Sequence, residues 1–164
     1  MRIVRMVAVG VGLAVALASG AAAQTLDKAA QTLDKKVLSF AAAQTIAAAA
    51  ADAARARGVG VVIAVVDDGG HLVLLHRLDD TQVASVNVGI GKARTAAIYR
   101  RPSRDFEEQI RAGRIAALAL TDSTPLQGGV PIRLNGRVIG AIGVSGDTPQ
   151  VDEAIAIAGA EAFK

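Results

Sequence analysis

Ser39 ends a polar stretch and opens an alanine-dominated run, Phe40 to Arg57, closed by Gly58. A serine hydroxyl can cap first-turn N–H groups, alanine is the best helix former, and glycine tolerates the left-handed position past a helix end. The run therefore predicts a long helix. Val61-Val62-Ile63-Ala64-Val65-Val66 follows without a polar break, as in a strand covered on both faces. Asp67-Asp68-Gly69-Gly70 reads as a turn, and His71 to Leu78 as the return strand of a hairpin. A second helix is expected from about Ser85 to Tyr99, ending before Arg101-Pro102 because a proline disfavours helical backbone in its predecessor. Ser103 can cap a short helix to Arg111, with Asp105, Glu107 and Glu108 at its positive end. Ile115 to Leu120 is apolar and fits strand or helix. Asn135-Gly136, between Val130–Leu134 and Arg137–Ser145, is the strongest hairpin signal in the chain. Thr148-Pro149 then starts a closing helix running to about Phe163.

Two tight hairpins demand antiparallel pairing, and the long helices must cover the apolar faces of the sheet, so the fold class is α+β. No βαβ crossover is present, so the glycines around Gly140 and Gly143 are not a dinucleotide-binding fingerprint. At 164 residues the chain has length for one core. It has no cysteine, which removes disulfides, Cys-ligated zinc, iron–sulfur clusters and thiol nucleophiles together. Its aromatics are one Tyr and three Phe, too few for a base-stacking platform, and no nucleic-acid partner is expected.

The first residues look like an address. Arg2 and Arg5 precede an apolar stretch, about Met6 to Ala18, and small residues end it at Ala21-Ala22-Ala23. These are the three parts of a secretory signal peptide, 1–23, and imply a periplasmic or secreted mature protein. An uncleaved segment would be its sole membrane association. Taking Arg2 and Arg5 from the 18 basic residues leaves 16 against 15 acidic, so a polyanion partner has little support. Residues 24–36, with the near-copies Gln24-Thr25-Leu26-Asp27-Lys28 and Gln31-Thr32-Leu33-Asp34-Lys35, read as a polar tether before a domain spanning 37–164.

Four segments then follow in a telling order: Val65-Val66-Asp67-Asp68-Gly69-Gly70-His71-Leu72, Lys92-Ala93-Arg94-Thr95-Ala96, Gly128-Gly129-Val130-Pro131-Ile132, and Gly136 to Gly146. Together they resemble the haem-binding GlcG/HbpS family, related to the C-terminal domain of PduO adenosyltransferases. The resemblance implies a profilin-like fold with a five-stranded antiparallel sheet and helices on its faces, assembled into homo-oligomers from dimer up to octamer. It implies haem as a cofactor in some members and no settled activity in others, so catalysis stays open. The chain departs from the family pattern at Arg77-Leu78-Asp79-Asp80-Thr81, where a methionine is usual, and at Asp147.

Haem iron takes an axial His, Met, Cys or Tyr. With the signal removed, His71, His76 and Tyr99 are left. Alternation along a strand puts His71 and His76, five apart, on opposite faces unless a bulge intervenes. The resemblance adds Ser103, which matches a haem-holding hydroxyl of some members. Helix N-capping is its other role. Lys92 and Thr95 share a helix face. With Asp67 and the Gly128-Gly129 backbone they form a candidate pocket for a small carboxylate, served by an exported enzyme or accessory protein. The alternative is a buried Lys92–Asp67 pair bracing helix against hairpin. No Ser-His-Asp arrangement or G-x-S-x-G elbow occurs. The carboxylates Asp105, Glu107, Glu108, Asp152, Glu153 and Glu161 are expected at helix termini and on solvated faces.

Overall fold

A computed structural model describes residues 31–164. The expected signal peptide and residues 24–30 of the tether lie outside them, and the folded domain begins at Lys36. Helix α1 spans Phe40–Arg57, as its pattern predicts. The Ser39 hydroxyl accepts from the Ala42 N–H at 3.2 Å, and Gly58 takes the left-handed conformation at φ 67°. Strand β1 (Val62–Asp67) and strand β2 (Leu72–Arg77) form the first hairpin. Helix α2 (Ser85–Ile98) and helix α3 (Arg104–Arg111) follow, then a 3-10 turn at Ile115–Ala119. Strands β3 (Gly129–Leu134) and β4 (Arg137–Ser145) form the second hairpin, and α4 (Pro149–Glu161) closes the domain. At its turn, Asn135 and Gly136 sit at φ 50° and 78°, the two left-handed residues a tight type I′ connection requires.

All pairings are antiparallel, in the order β2-β1-β4-β3. The expected five-stranded sheet is corrected to four strands among the described residues. The apolar segment left to supply a fifth, Ile115 to Leu120, coils instead. Ile115 and Leu118 stay exposed and only Ala117 is buried, so no strand-like alternation meets the core. Helices α1 and α4 cover one face through Ala43, Ile46, Ala47, Ala50 and Ile155 against Ile63, Val65, Ile142 and Val144. Helix α2 covers the other, through Ala93, Ala96 and Ala97 against Ala64, Val66 and Ala141. Burial on both faces is why β1 carries no polar alternation. Each Val or Ile so buried contributes about 1.5–3 kcal/mol. At Gly143 a Cβ would run into the Gly89 carbonyl and the Ala93 N–H, so this glycine is what lets α2 lie so close to β4.

Candidate functional site

Lys92 leaves α2 with its side chain 5% exposed and passes the start of β3. Its Nζ donates to Asp152 Oδ2 at 2.8 Å and to the Val144 carbonyl at 3.0 Å. Asp152, in the first turn of α4, also accepts the Asp147 N–H at 3.0 Å. The pair ties the helix on one face of the sheet to a helix on the other. Gly128 and Gly129 make the passage. A Cβ on Gly128 would stand 3.0 Å from Lys92 Nζ, and one on Gly129 would enter the Lys92 backbone carbonyl. Burial pushes the Asp152 carboxyl above its ordinary value, against the pull of the Lys92 ammonium and the Asp147 N–H.

The expected Lys92–Asp67 pair is therefore not formed. Asp67 pairs with Gly140 on β4, whereas Lys92 docks at Val144, four residues along the same strand. At about 3.3 Å per residue the two are about 13 Å apart. Of the expected carboxylate pocket, Lys92, Gly128 and Gly129 meet, but the Lys92 and Thr95 side chains are engaged within the chain. Thr95 Oγ1 donates to the Gly91 carbonyl at 2.8 Å and accepts the Thr124 N–H at 2.7 Å.

Ser103 occupies the N-cap position of α3 in helical conformation and makes no side-chain capping bond. Its fully buried hydroxyl instead donates to the Leu126 carbonyl at 2.6 Å and accepts the Gly129 N–H at 2.8 Å. Glu153 accepts from Arg104 Nη1 at 2.9 Å and Gln127 Nε2 at 2.6 Å, while Glu107 accepts the Gln127 N–H at 2.6 Å. These bonds hold the segment leading into Gly128-Gly129. Asp152 and Glu153 are thus buried, not the solvated residues expected. The signal was present for Asp152, which shares the i, i+3, i+4, i+7 face with Ile155, Ala156 and Gly159.

The first hairpin carries the histidines. Asp67 Oδ1 accepts the N–H groups of Gly69 and His71, each at 2.9 Å, and lies 3.3 Å from His71 Nδ1. The Asp67 N–H in turn donates to the His71 carbonyl at 2.9 Å. Partial burial raises the Asp67 pKa, but the His71 N–H, the His71 charge and the Gly69 N–H outweigh it and hold the carboxyl below its ordinary value. The His71 side chain is 79% exposed. His76 is half-buried opposite Ile63. The register passes from Val65↔Leu74 to Val66↔Leu72, so Val73 is an extra residue and the alternation between the histidines is broken. Five residues of strand set their backbones about 16 Å apart.

The Tyr99 hydroxyl donates to the Thr121 carbonyl at 2.7 Å. Among the described residues no group of three or more His, Asp or Glu could hold a metal ion. An open depression of about 520 Å³ at the other end of β2 is lined by Arg55, Arg77, Leu78, Asp79 and Asp80, the stretch in which the chain departs from the family pattern.

Comparison with known proteins agrees with this fold. A family model described as "Haem degrading protein HbpS-like" matches residues 38–161. Protein GlcG of Escherichia coli K12 is 43% identical over 111 residues, covering 68% of this chain and 83% of GlcG. A crystal structure of HbpS superposes with a TM-score of 0.78 at 29% identity, over 82% of this chain and 96% of that one. Protein ORFY of Klebsiella pneumoniae superposes at 0.76 with 32% identity, over 80% and 94%. An antiparallel α+β domain with these motifs is the class defined by HbpS and GlcG. The chain belongs to the GlcG/HbpS family.

Haem demands an axial donor reachable from solvent with a lone pair to offer. His71 meets both conditions, since its side chain is exposed and the carboxylate stands at Nδ1, leaving Nε2 to offer a lone pair. Ser103 does not meet them as folded, because its hydroxyl is buried with both bonds made.

Proposed function

We propose that this chain is an exported, homo-oligomeric haem-binding protein with a profilin-like fold, working in the periplasm or outside the cell. The observation that carries the reading is the family match over residues 38–161, whose description is haem-degrading. The exposed imidazole at the first hairpin is consistent with it. Of the sequence candidates His71, His76 and Ser103, His71 is the one whose side chain stands open to solvent, and it is the candidate haem-holding residue. Bound haem would bring iron redox and oxygen chemistry, and the protein's part is to hold and orient the group.

Titrating the mature chain, residues 24–164, with haemin and following the Soret band tests this. A saturable, shifted band with a stoichiometry of one per chain or per pair of chains is expected. A spectrum matching free haemin at every ratio overturns the reading. Size-exclusion chromatography with light scattering on the same sample tests the oligomer, and a mass for a single chain refutes that part.

A further inference from the structure

Resting on the haem reading, we infer that His71 is the axial ligand of the iron and that Asp67 is its positioning residue, holding the imidazole so that Nε2 faces solvent as the free donor. Asp67 Oδ1 is fixed by two backbone N–H groups at 2.9 Å, and its own N–H is bonded to the His71 carbonyl. A carboxylate so held offers a stationary acceptor, and His71 Nδ1 lies 3.3 Å from it. In a neutral imidazole one nitrogen carries the proton and the other the lone pair. A proton on Nδ1 faces that carboxylate and leaves the lone pair at Nε2. The carboxylate and the imidazole thus already stand together in the turn.

The surroundings suit a porphyrin better here than at the other candidates. Leu72, next in the chain, is exposed. Arg94 donates its Nε to the Gly70 carbonyl at 3.2 Å, placing a cation at the same turn for a porphyrin carboxylate. His76 is half-buried opposite Ile63, Tyr99 is committed to Thr121, and Ser103 is enclosed.

The test uses haemin with the wild-type protein and the variants His71→Ala, His76→Ala and Asp67→Asn. His71 is exposed, and asparagine can accept the same two backbone N–H groups, so folding is expected to survive and circular dichroism checks it. His71→Ala should weaken haemin binding at least tenfold, and added imidazole should restore the wild-type band. His76→Ala should bind as the wild type does. Asp67→Asn should still bind, but with the Fe(III)/Fe(II) midpoint raised and the ferrous iron–imidazole Raman stretch lowered, because the ligand loses anionic character. A merely structural role for Asp67 would move neither signal. Wild-type affinity and spectrum in His71→Ala overturn the ligand assignment while the haem reading stands. An unchanged midpoint in Asp67→Asn overturns the positioning role. Absence of a saturable band in the wild type overturns both readings at once.

Discussion

Replacing Lys92 with methionine keeps an unbranched apolar stem, one atom shorter, and removes the charge. The Lys92 and Asp152 side chains are 5% and 3% exposed, so water cannot take over the lost contact. Asp152 would keep the Asp147 N–H at 3.0 Å but lose the ammonium at 2.8 Å, and the Val144 carbonyl would lose its donor at 3.0 Å. Breaking a buried ion pair from one side costs about 3–5 kcal/mol, because the remaining charge stays desolvated. For a domain running from Lys36 to Lys164 that corresponds to a melting temperature lower by about 10–20 °C. The loss also depends on pH in a definite direction. Burial already raises the Asp152 carboxyl, and without Lys92 it rises further. The native variant then binds a proton that the unfolded chain releases, so its stability falls as pH climbs from the ordinary carboxylate range through the native value. Urea unfolding at several pH values, on Lys92→Met, Asp152→Asn and the double variant, is the assay. The double variant should recover most of the loss, since asparagine is neutral and can still accept the Asp147 N–H. A Lys92→Met melting temperature within about 2 °C of the wild type, equivalent to roughly half a kcal/mol, would refute the account of Lys92 as a structural brace.

Four further outcomes are expected. Ser103→Ala should lower stability by about 1–3 kcal/mol, because the buried Gly129 N–H and Leu126 carbonyl lose their partner, while haemin affinity is unchanged; calorimetry beside a Soret titration separates the two. Gly129→Ala should cost about 3 kcal/mol, the upper end for overpacking, since its Cβ meets the Lys92 backbone and not a yielding side-chain end. Gly58→Ala, with open space around it, should cost only the left-handed strain of about 1–2 kcal/mol, measured in the same urea series. Asp67 titrates below its ordinary value of 3.8, so its contribution is present above that pH and is lost as pH falls through the native value. The stability gap between wild type and Asp67→Asn should therefore shrink on acidification, and a gap that widens contradicts the turn geometry.

The helices, the two hairpins and the Asn135-Gly136 turn were legible in the chain because their causes are local. Ser39 and Gly58 lie at the two ends of the helix they cap, and the tight turn needs only two left-handed residues in a row. The burial of β1 on both faces was legible too, since an unbroken apolar run of that length has no solvent side. The missing fifth strand was an expectation taken from resemblance, and Ile115 to Leu120 did not carry the alternation to support it. Asp152 carried a helical-period signal that the familiar role of acidic first-turn residues obscured.

What the sequence by itself determined is therefore the kinds and boundaries of the elements, the α+β class and the family, all encoded within a few neighbouring residues or in ordered motifs. Only the tertiary structure decided the strand order, the partner of Lys92 and the fate of Ser103. Lys92 and Asp152 are 60 residues apart, and their pairing depends on β1 and β4 being neighbours and on β3 beginning at a glycine. The separation of Asp67 from Lys92 likewise follows from antiparallel register, which places them at different points along β4. Neither distance exists until the sheet has formed, because a chain specifies its local torsions directly but its long-range contacts only through the packing of every element at once.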